Sequence, residues 1–495
     1  MENSDGPFRM SNLKFQIANR RSEICNSERG STALSCSPPK GSEDRPRVLM
    51  VIGCYYPEIS GGGLQCRTLA LALKDKVRFT VLTTTRDMRL PLVSLVDGIP
   101  VYRLYVDPVR PWSKFRAAVE LLRLAPRLVR ESELIHFHGF TQKMLLLMPL
   151  AKLLGKRILD KMSSVGIDDP LSIRARRCGR LLFWSFGRAD AFISVSPALS
   201  ERFLKSSLPK DRLVFIPNGV DTDRFQPAGI RERAALKVEA GFAPTTSLVT
   251  FVGFWSRDKG PNILLEAWLR ARRTVGVESA LLFIGATDSG HVEVDARLVA
   301  QMHERLRSEN LNGAVRLVQQ THEVPRYLRA SDIFVLPTLR EGLPNALVEA
   351  MATGLACVST DLPGVTRWLI RDGENGLLIP PGDVTALERY LVSLLNDEAR
   401  ASLLGARARE TVLKLCSIRA VADSYWGVYQ KLLKGGPVDE HEPYGSSQQC
   451  KNPGRREGGG CEAERGIAPE RTGIVREDAS PKLQRSKRPL SADQG

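Results

Sequence analysis

Glu341 and Glu349 are two carboxylates separated by seven residues, the first in the loop Glu341-Gly342-Leu343-Pro344-Asn345 and the second within the helix that this loop opens. A strand-like run, Ile333 to Leu336, precedes them. A strand-to-helix turn of this kind is where parallel α/β sheets bind phosphorylated ligands. Pro344 suits the first helical position, because its φ is already helical and its missing N–H has no intrahelical partner there. The amides from Gly342 to Ala346 then form the positive end of a helix, which favours an anion by about 0.3–1 kcal/mol. A carboxylate in such a loop can accept hydrogen bonds from sugar hydroxyls. Spacing alone leaves a plainer alternative open, in which Glu341 caps the helix and Glu349 is a solvated charge.

Other residues carry separate possibilities. His136 and His138 alternate on a strand and share a face, which could form half a metal site, but no third ligand lies near them in sequence and a buried structural histidine is the commoner outcome. Gly61-Gly62-Gly63 follows the first strand and opens a helix; such a loop turns sharply and lets amides approach a ligand closely. It is not the dinucleotide pattern G-x-G-x-x-G. Lys259-Gly260 follows the first strand of the second half.

The elements that must hold these residues alternate regularly. Short apolar runs at 48–52, 79–82, 101–104, 134–137, 158–159, 191–193 and 213–216 are separated by helix-length segments, and the same rhythm resumes at 248–252, 281–284, 315–317, 333–336, 356–358 and 376–378. This is the pattern of mostly parallel sheets with helices on both faces. The expectation is an α/β chain of two Rossmann-like domains facing a cleft, residues 46–217 and 218–416, joined by the stretch Pro217 to Pro227. Residues 1–45 and 435–495 lack apolar periodicity and are expected to be disordered.

At 495 residues the chain exceeds one ordinary core. No stretch reaches the roughly 18–20 apolar residues that span a bilayer. No signal-peptide core is evident in the first 45 residues, and the nine cysteines have no C-x-x-C or metal spacing, so a reduced cytoplasmic protein is expected. From Arg47 to Arg224 there are 29 Lys and Arg against 16 Asp and Glu, which places most of the formal +16 in the first half. Two segments concentrate it: Arg110 to Arg130, an amphipathic helix pattern, and Arg174 to Arg188, where arginines precede Leu181-Leu182-Phe183-Trp184. Cations beside aromatic bulk fit peripheral contact with an anionic membrane, and equally fit an ordinary basic helix packed by its apolar face. No nucleic-acid module accompanies the charge, so nucleic acid is not expected as a partner.

The stretch Glu341 to Ala352, EGLPNALVEAMA, resembles almost residue for residue the signature of the retaining nucleotide-sugar glycosyltransferases of the family-4 type, which have the two-domain GT-B fold. Tyr56-Pro57 with Gly61-Gly62-Gly63, His136-Phe137-His138-Gly139, Ser194-Val195-Ser196, Ile216-Pro217-Asn218-Gly219-Val220-Asp221 and Lys259-Gly260 follow in the family's order, over about Arg47 to Leu433.

The resemblance implies a nucleoside diphosphate sugar donor, with Glu341 on the sugar hydroxyls and Glu349 on the ribose. Lys259 and the amides in the segment from Gly342 to Asn345, those of Gly342, Leu343 and Asn345, would hold the diphosphate side, with Pro344 among the donor-binding residues and Gly62 and Gly63 over the cleft. His138 would lie beside the transferring sugar, with His136 and Asn218 supporting. The last helix, 417–434, would cross back to the first domain.

No cofactor or metal is implied, and Asp221-Thr222-Asp223, which looks like the D-x-D metal motif of the other glycosyltransferase fold, falls in the linker as turn chemistry. The acceptor would be a hydroxyl of a saccharide or lipid-linked saccharide, as in cell-envelope or exopolysaccharide assembly. Two departures stand out. Phe254 replaces the family's usual Arg, so that Arg257 is the candidate to reach the same oxygens, and Arg367 stands where many members have Glu. Phe254 keeps open an alternative, a weakly active or inactive glycosyltransferase-like binding subunit.

Overall fold

The computed structural model describes residues 45–107, 109–287, 293–311 and 313–438. The expected disordered residues 1–44 and 439–495 lie outside the described residues. Ordered chain runs further than the expected boundary at 435, since Val438 is buried against the first-lobe core.

The first lobe is built from β1 (Arg47–Cys54), β2 (Arg78–Thr85), β3 (Val93–Val96), β4 (Ile99–Tyr105), β5 (Leu134–His138), β6 (Arg157–Met162), β7 (Ala191–Ser194) and β8 (Leu213–Phe215). They form one sheet in the order β3-β4-β2-β1-β5-β6-β7-β8, parallel except for β3. The second lobe has β9 (Ser247–Val252), β10 (Ser279–Ile284), β11 (Val315–Val318), β12 (Ile333–Leu336), β13 (Ala356–Thr360) and β14 (Leu377–Ile379), in the order β11-β10-β9-β12-β13-β14.

The central strands are near-continuous apolar runs because helices cover both faces. Val48 to Val51, Leu281 to Ile284 and Ile333 to Leu336 are all buried. In each sheet the strand order reverses beside the first strand, between β1 and β5 and again between β9 and β12. The crevice at the carboxyl ends of the strands on either side of that reversal is where such sheets bind ligands. The four segments that leave those strands are Cys54 to Gly63, His138 to Thr141, Gly253 to Gly260 and Pro337 to Asn345. The triglycine loop, His138-Gly139, Lys259-Gly260 and the start of the Glu341 signature fall on these switch-point segments, whereas Ser194 to Ser196 and Ile216 to Asp221 follow β7 and β8 at the far edge of the first sheet.

The helix Ile418–Lys434 packs Val421, Ala422, Tyr425, Val428, Tyr429 and Leu432 into the core that contains Val48, Met50 and Leu69 of the first lobe. The basic stretch Arg174 to Arg188 is not one helix. It divides into Pro170–Arg174 and Gly179–Phe186 at Cys178, which has φ 61°.

Candidate functional site

A cleft of about 310 Å³ lies between the two sets of strand ends, lined from the first lobe by Gly62, His138, Lys161 and Ser163 and from the second by Phe254, Lys259, Glu341 and Glu349 among others. The signature loop supplies its floor. The helix Asn345–Ala352 starts one residue later than expected: Pro344 is the N-cap, with φ −73° and ψ 109°, and Asn345 is the first helical residue. Gly342, Leu343, Pro344 and Asn345 all line the cavity, which places the positive end of the helix at its floor.

Glu341 is not a solvated cap. Its side chain is 11% exposed, and its Oε1 accepts hydrogen bonds from Lys259 Nζ at 2.5 Å and Thr338 Oγ1 at 3.2 Å. Lys259 reaches it from the loop after β9, so the two switch-point loops of the second lobe are joined by an ion pair at the cavity wall. Glu349, one helical stretch further, is partly buried and lines the same cavity. Burial pushes its carboxyl up to about 7, opposed by the positive charge of Arg224.

The first lobe contributes His138, 6% exposed, at the end of β5. Neither of its ring nitrogens has a hydrogen-bond partner, and burial, followed by His136 and Lys161, drives its pKa well down. A neutral, unpartnered imidazole on a cavity wall is free to bond a ligand. His136 stands one layer deeper, its ring 4.0 Å from that of His138 and its Nδ1 2.7 Å from Tyr429 Oη. It supports His138 without lining the cavity.

Asn345 and Asn218 are engaged with each other across the lobes. Asn218 Nδ2 donates to Asn345 Oδ1 at 2.8 Å and to the Leu343 carbonyl at 3.3 Å, and Asn345 Nδ2 donates to the Gly61 carbonyl at 3.0 Å. These amides pin the signature loop to the triglycine loop. Gly342 completes the contact, since a Cβ there would overlap the Ser163 carbonyl.

Two expectations are corrected. Arg257 does not reach the cleft: it is 71% exposed, pairs with Asp295 at 3.3 Å and is absent from the lining. The Lys259 side of the loop turns inward while Arg257 sits on its outer shoulder. Gly63 also lies off the cavity, packed so closely on the Cys54 carbonyl that a side chain would not fit, and its N–H is capped by Ser60 Oγ at 3.0 Å. Of the pair, Gly62 alone faces the ligand space. Arg367 pairs with Asp361 on the surface. Among the described residues, no group of three or more His, Cys, Asp or Glu is arranged to hold a metal ion.

Sequence reasoning missed Lys161, Ser163 and Gln320, all on the cavity wall. Lys161 could have been found, because a charged pair, Asp160-Lys161, falls between the apolar residues Ile158, Leu159 and Met162 of a buried strand.

Comparisons with known proteins fit this geometry. A family model described as Glycosyltransferase Family 4 matches residues 59–224, and one described as Glycosyl transferases group 1 matches residues 246–397. The chain belongs to the family-4 glycosyltransferases. Among curated relatives, α-maltose-1-phosphate synthase of Mycolicibacterium smegmatis is 30% identical over 49% of this chain and 64% of its own length. The UDP-Gal:α-D-GlcNAc-diphosphoundecaprenol α-1,3-galactosyltransferase of Escherichia coli is 31% identical over 38% of this chain and 46% of its own length. The matches thus span under two thirds of these relatives. Among solved structures, Anabaena HepE in complex with UDP and glucose superposes with a TM-score of 0.64 at 17% identity, over 78% of this chain and 100% of that one. The likeness shows the GT-B fold, which this family-4 glycosyltransferase shares.

Proposed function

We propose that this chain is a retaining hexosyltransferase that takes a nucleoside diphosphate sugar in the cleft and passes the sugar to a hydroxyl of a saccharide or lipid-linked acceptor. One observation carries the reading: the Lys259–Glu341 pair, the amino terminus of the signature helix and the unpartnered His138 converge on one cavity at the switch points of both sheets. Departure of the nucleoside diphosphate builds negative charge on its terminal phosphate. Lys259 and the amides beginning at Gly342 stabilise that charge as it forms, and groups fixed before the reaction do so without reorganising. Glu341 holds sugar hydroxyls, and Glu349 accepts from the ribose hydroxyls. The acceptor enters from the first lobe on the face the leaving group vacates, which retains configuration. His138, neutral, bonds the sugar from that side.

Phe254 favours a second reading, because it lines the cavity where the family usually places a cationic Arg. A binding subunit of low activity would keep the cleft and lose turnover. A panel of UDP, GDP and ADP sugars, followed by released nucleotide and by titration calorimetry, separates the two. Binding with slow hydrolysis supports the transferase, binding without any turnover supports the second reading, and no binding by any of them removes both.

The proposed acceptor side includes an anionic bilayer. On the helix Pro111–Glu131, Ser113, Ala117, Leu121, Ala125 and Leu128 face the core, while Trp112, Phe115 and Leu122 form an outward stripe at helical spacing, 79%, 63% and 57% exposed. Arg116, Arg123, Arg127 and Arg130 flank it. Trp184 is half exposed on the helix Gly179–Phe186, with the Arg188 guanidinium 3.8 Å above its ring. Each cation near an anionic surface adds about 1 kcal/mol, and the aromatic rings suit the headgroup level. Among the described residues no helix is long and apolar enough to cross a membrane. Flotation with phosphatidylglycerol vesicles is expected to recover the protein, and Trp112→Ser with Trp184→Ser to cut the bound fraction about tenfold, on the order of 1.4 kcal/mol. Equal flotation of the double variant would contradict a membrane face here.

A further inference from the structure

Lys161 lies on β6 next to His138 in the parallel register of β5 and β6, is 4% exposed and lines the cleft. Among the described residues no carboxylate lies within ion-pair distance of it and no side chain or carbonyl accepts a hydrogen bond from it. Its ammonium lies 5.9 Å from the centre of the Tyr425 ring. Its sequence neighbour Asp160 cannot serve, because adjacent strand residues point to opposite faces of the sheet. Lys143 shows the contrast. It is equally buried, but its Nζ donates to the Ile52 carbonyl at 2.8 Å and to Thr141 Oγ1 at 3.4 Å, and it stays off the cavity. With no acceptor from the protein, the Lys161 ammonium is left to take one from whatever occupies the cleft it lines.

We infer that Lys161 is the anion-binding residue of the first lobe, and that the acceptor therefore carries an acidic group, a phosphate or a carboxylate, close to the hydroxyl that is glycosylated. The inference rests on the transferase reading for the division of the cleft. The second lobe already supplies Lys259 and the helix terminus for the donor's diphosphate, whereas Lys161 rises from the opposite wall beside His138. Ser163, whose backbone touches Gly342, sits two residues on and lines the same wall, its hydroxyl already donated to Asp168, which leaves Lys161 as the cationic donor of that wall.

Among the described residues, the titratable groups that face Lys161 are His136 and His138 on β5, Cys66 on the helix Gly61–Leu73, and Tyr425 on the helix Ile418–Lys434, with Tyr429 behind His136. Burial holds all of them neutral, driving the histidines down and the thiol and phenols up. Lys161 itself is pushed down to about 8 by the same burial. The ammonium is present below that pH and is lost above it, so anion binding should weaken as pH rises past 8, shifted upward to the extent that the anion holds the proton on.

The test uses the full chain saturated with UDP, which fills the donor half, and titrates inorganic phosphate and then sulfate, whose charge does not change between pH 6 and 9. Phosphate and sulfate are expected to bind the wild type, to bind Lys161→Met at least tenfold more weakly, and to bind Lys161→Arg within about threefold of wild type. UDP affinity should stay within twofold in both variants. Circular dichroism and the melting temperature establish that each variant is folded, and the arginine variant carries the comparison if the methionine one is not. The inference is overturned if neither anion binds the UDP-loaded wild type, if Lys161→Met binds them as the wild type does, or if that variant loses UDP affinity instead. Failure of the transferase reading looks different, because no sugar nucleotide of the panel would then release its nucleotide, whatever the anions do.

Discussion

Glu341→Ala is expected to lower kcat for sugar transfer by about 10²–10³-fold, the usual cost of removing one preorganised group at a reacting centre. The side chain sits at the cavity wall between Lys259 and Thr338, not in the hydrophobic core, so the melting temperature should change little. The loss has two sources. The donor sugar loses an acceptor for its hydroxyls, and Lys259 loses the carboxylate that holds its ammonium in place. Glu341→Gln separates them, because an amide can still bond hydroxyls while pairing weakly with the lysine. Released nucleotide measured with each variant is the readout. Turnover retained in Glu341→Ala would remove the role assigned to this residue.

Glu349→Gln should make the protein more stable and its donor binding weaker. The folded state holds the carboxyl near 7 against an ordinary value of 4.5. A carboxyl raised in this way contributes nothing unfavourable while it is protonated. The cost appears as pH climbs above 4.5 and is complete above 7, where the native state must carry a poorly solvated charge. Each pH unit between the two values corresponds to about 1.4 kcal/mol. Because the side chain reaches the cavity and its solvent, the gain expected from glutamine at pH 8 is on the order of 2 kcal/mol, vanishing near pH 4. Ribose hydroxyls that donate to the ionised form compensate that cost in the wild type, so nucleotide affinity should rise between pH 6 and 8, and the glutamine variant should bind about tenfold more weakly at pH 8. Denaturant unfolding at pH 5 and 8, with calorimetric titration of UDP, gives both numbers. A variant that is less stable at pH 8 or binds UDP as tightly would contradict the assignment. Stability given up at a ligand-binding carboxylate is the usual exchange between activity and a relaxed fold.

The contrast between these two glutamates shows how far residue order could take the reading. The strand-to-helix turn, the helix terminus and the motif loops were legible because parallel strands buried on both faces leave continuous apolar runs, and every expected strand is present within a few residues. The strand β3 was overlooked because it is short and half exposed, with no continuous apolar run to mark it. Its signal was nevertheless there: Asp97-Gly98, both at positive φ, make the two-residue turn that pairs β3 with β4.

What the chain order could not supply was direction. Arg257 and Lys259 are two residues apart, yet one turns out to Asp295 and the other in to Glu341. Lys161 belongs to no motif, and although a charged pair in a buried strand marks it, its place beside His138 appears only when β5 and β6 are aligned at the cavity. The Asn218–Asn345–Gly61 bridge joins residues more than a hundred positions apart, which no local pattern encodes. Glu349 looked like a surface charge by spacing and is a carboxyl raised by burial, against the opposing charge of Arg224.

The central claim is that a nucleoside diphosphate sugar binds in the cleft with its phosphates at the signature helix terminus. Amide hydrogen exchange on the full chain, with and without saturating UDP-glucose and the other sugar nucleotides of the panel, tests it most directly. Slowed exchange is expected at the amides of Gly342, Leu343, Asn345 and Ala346, at Gly61 and Gly62, and around Lys259, with the outer face of the helix Pro111–Glu131 unchanged. Protection confined to another surface, or none with any sugar nucleotide, would contradict the account.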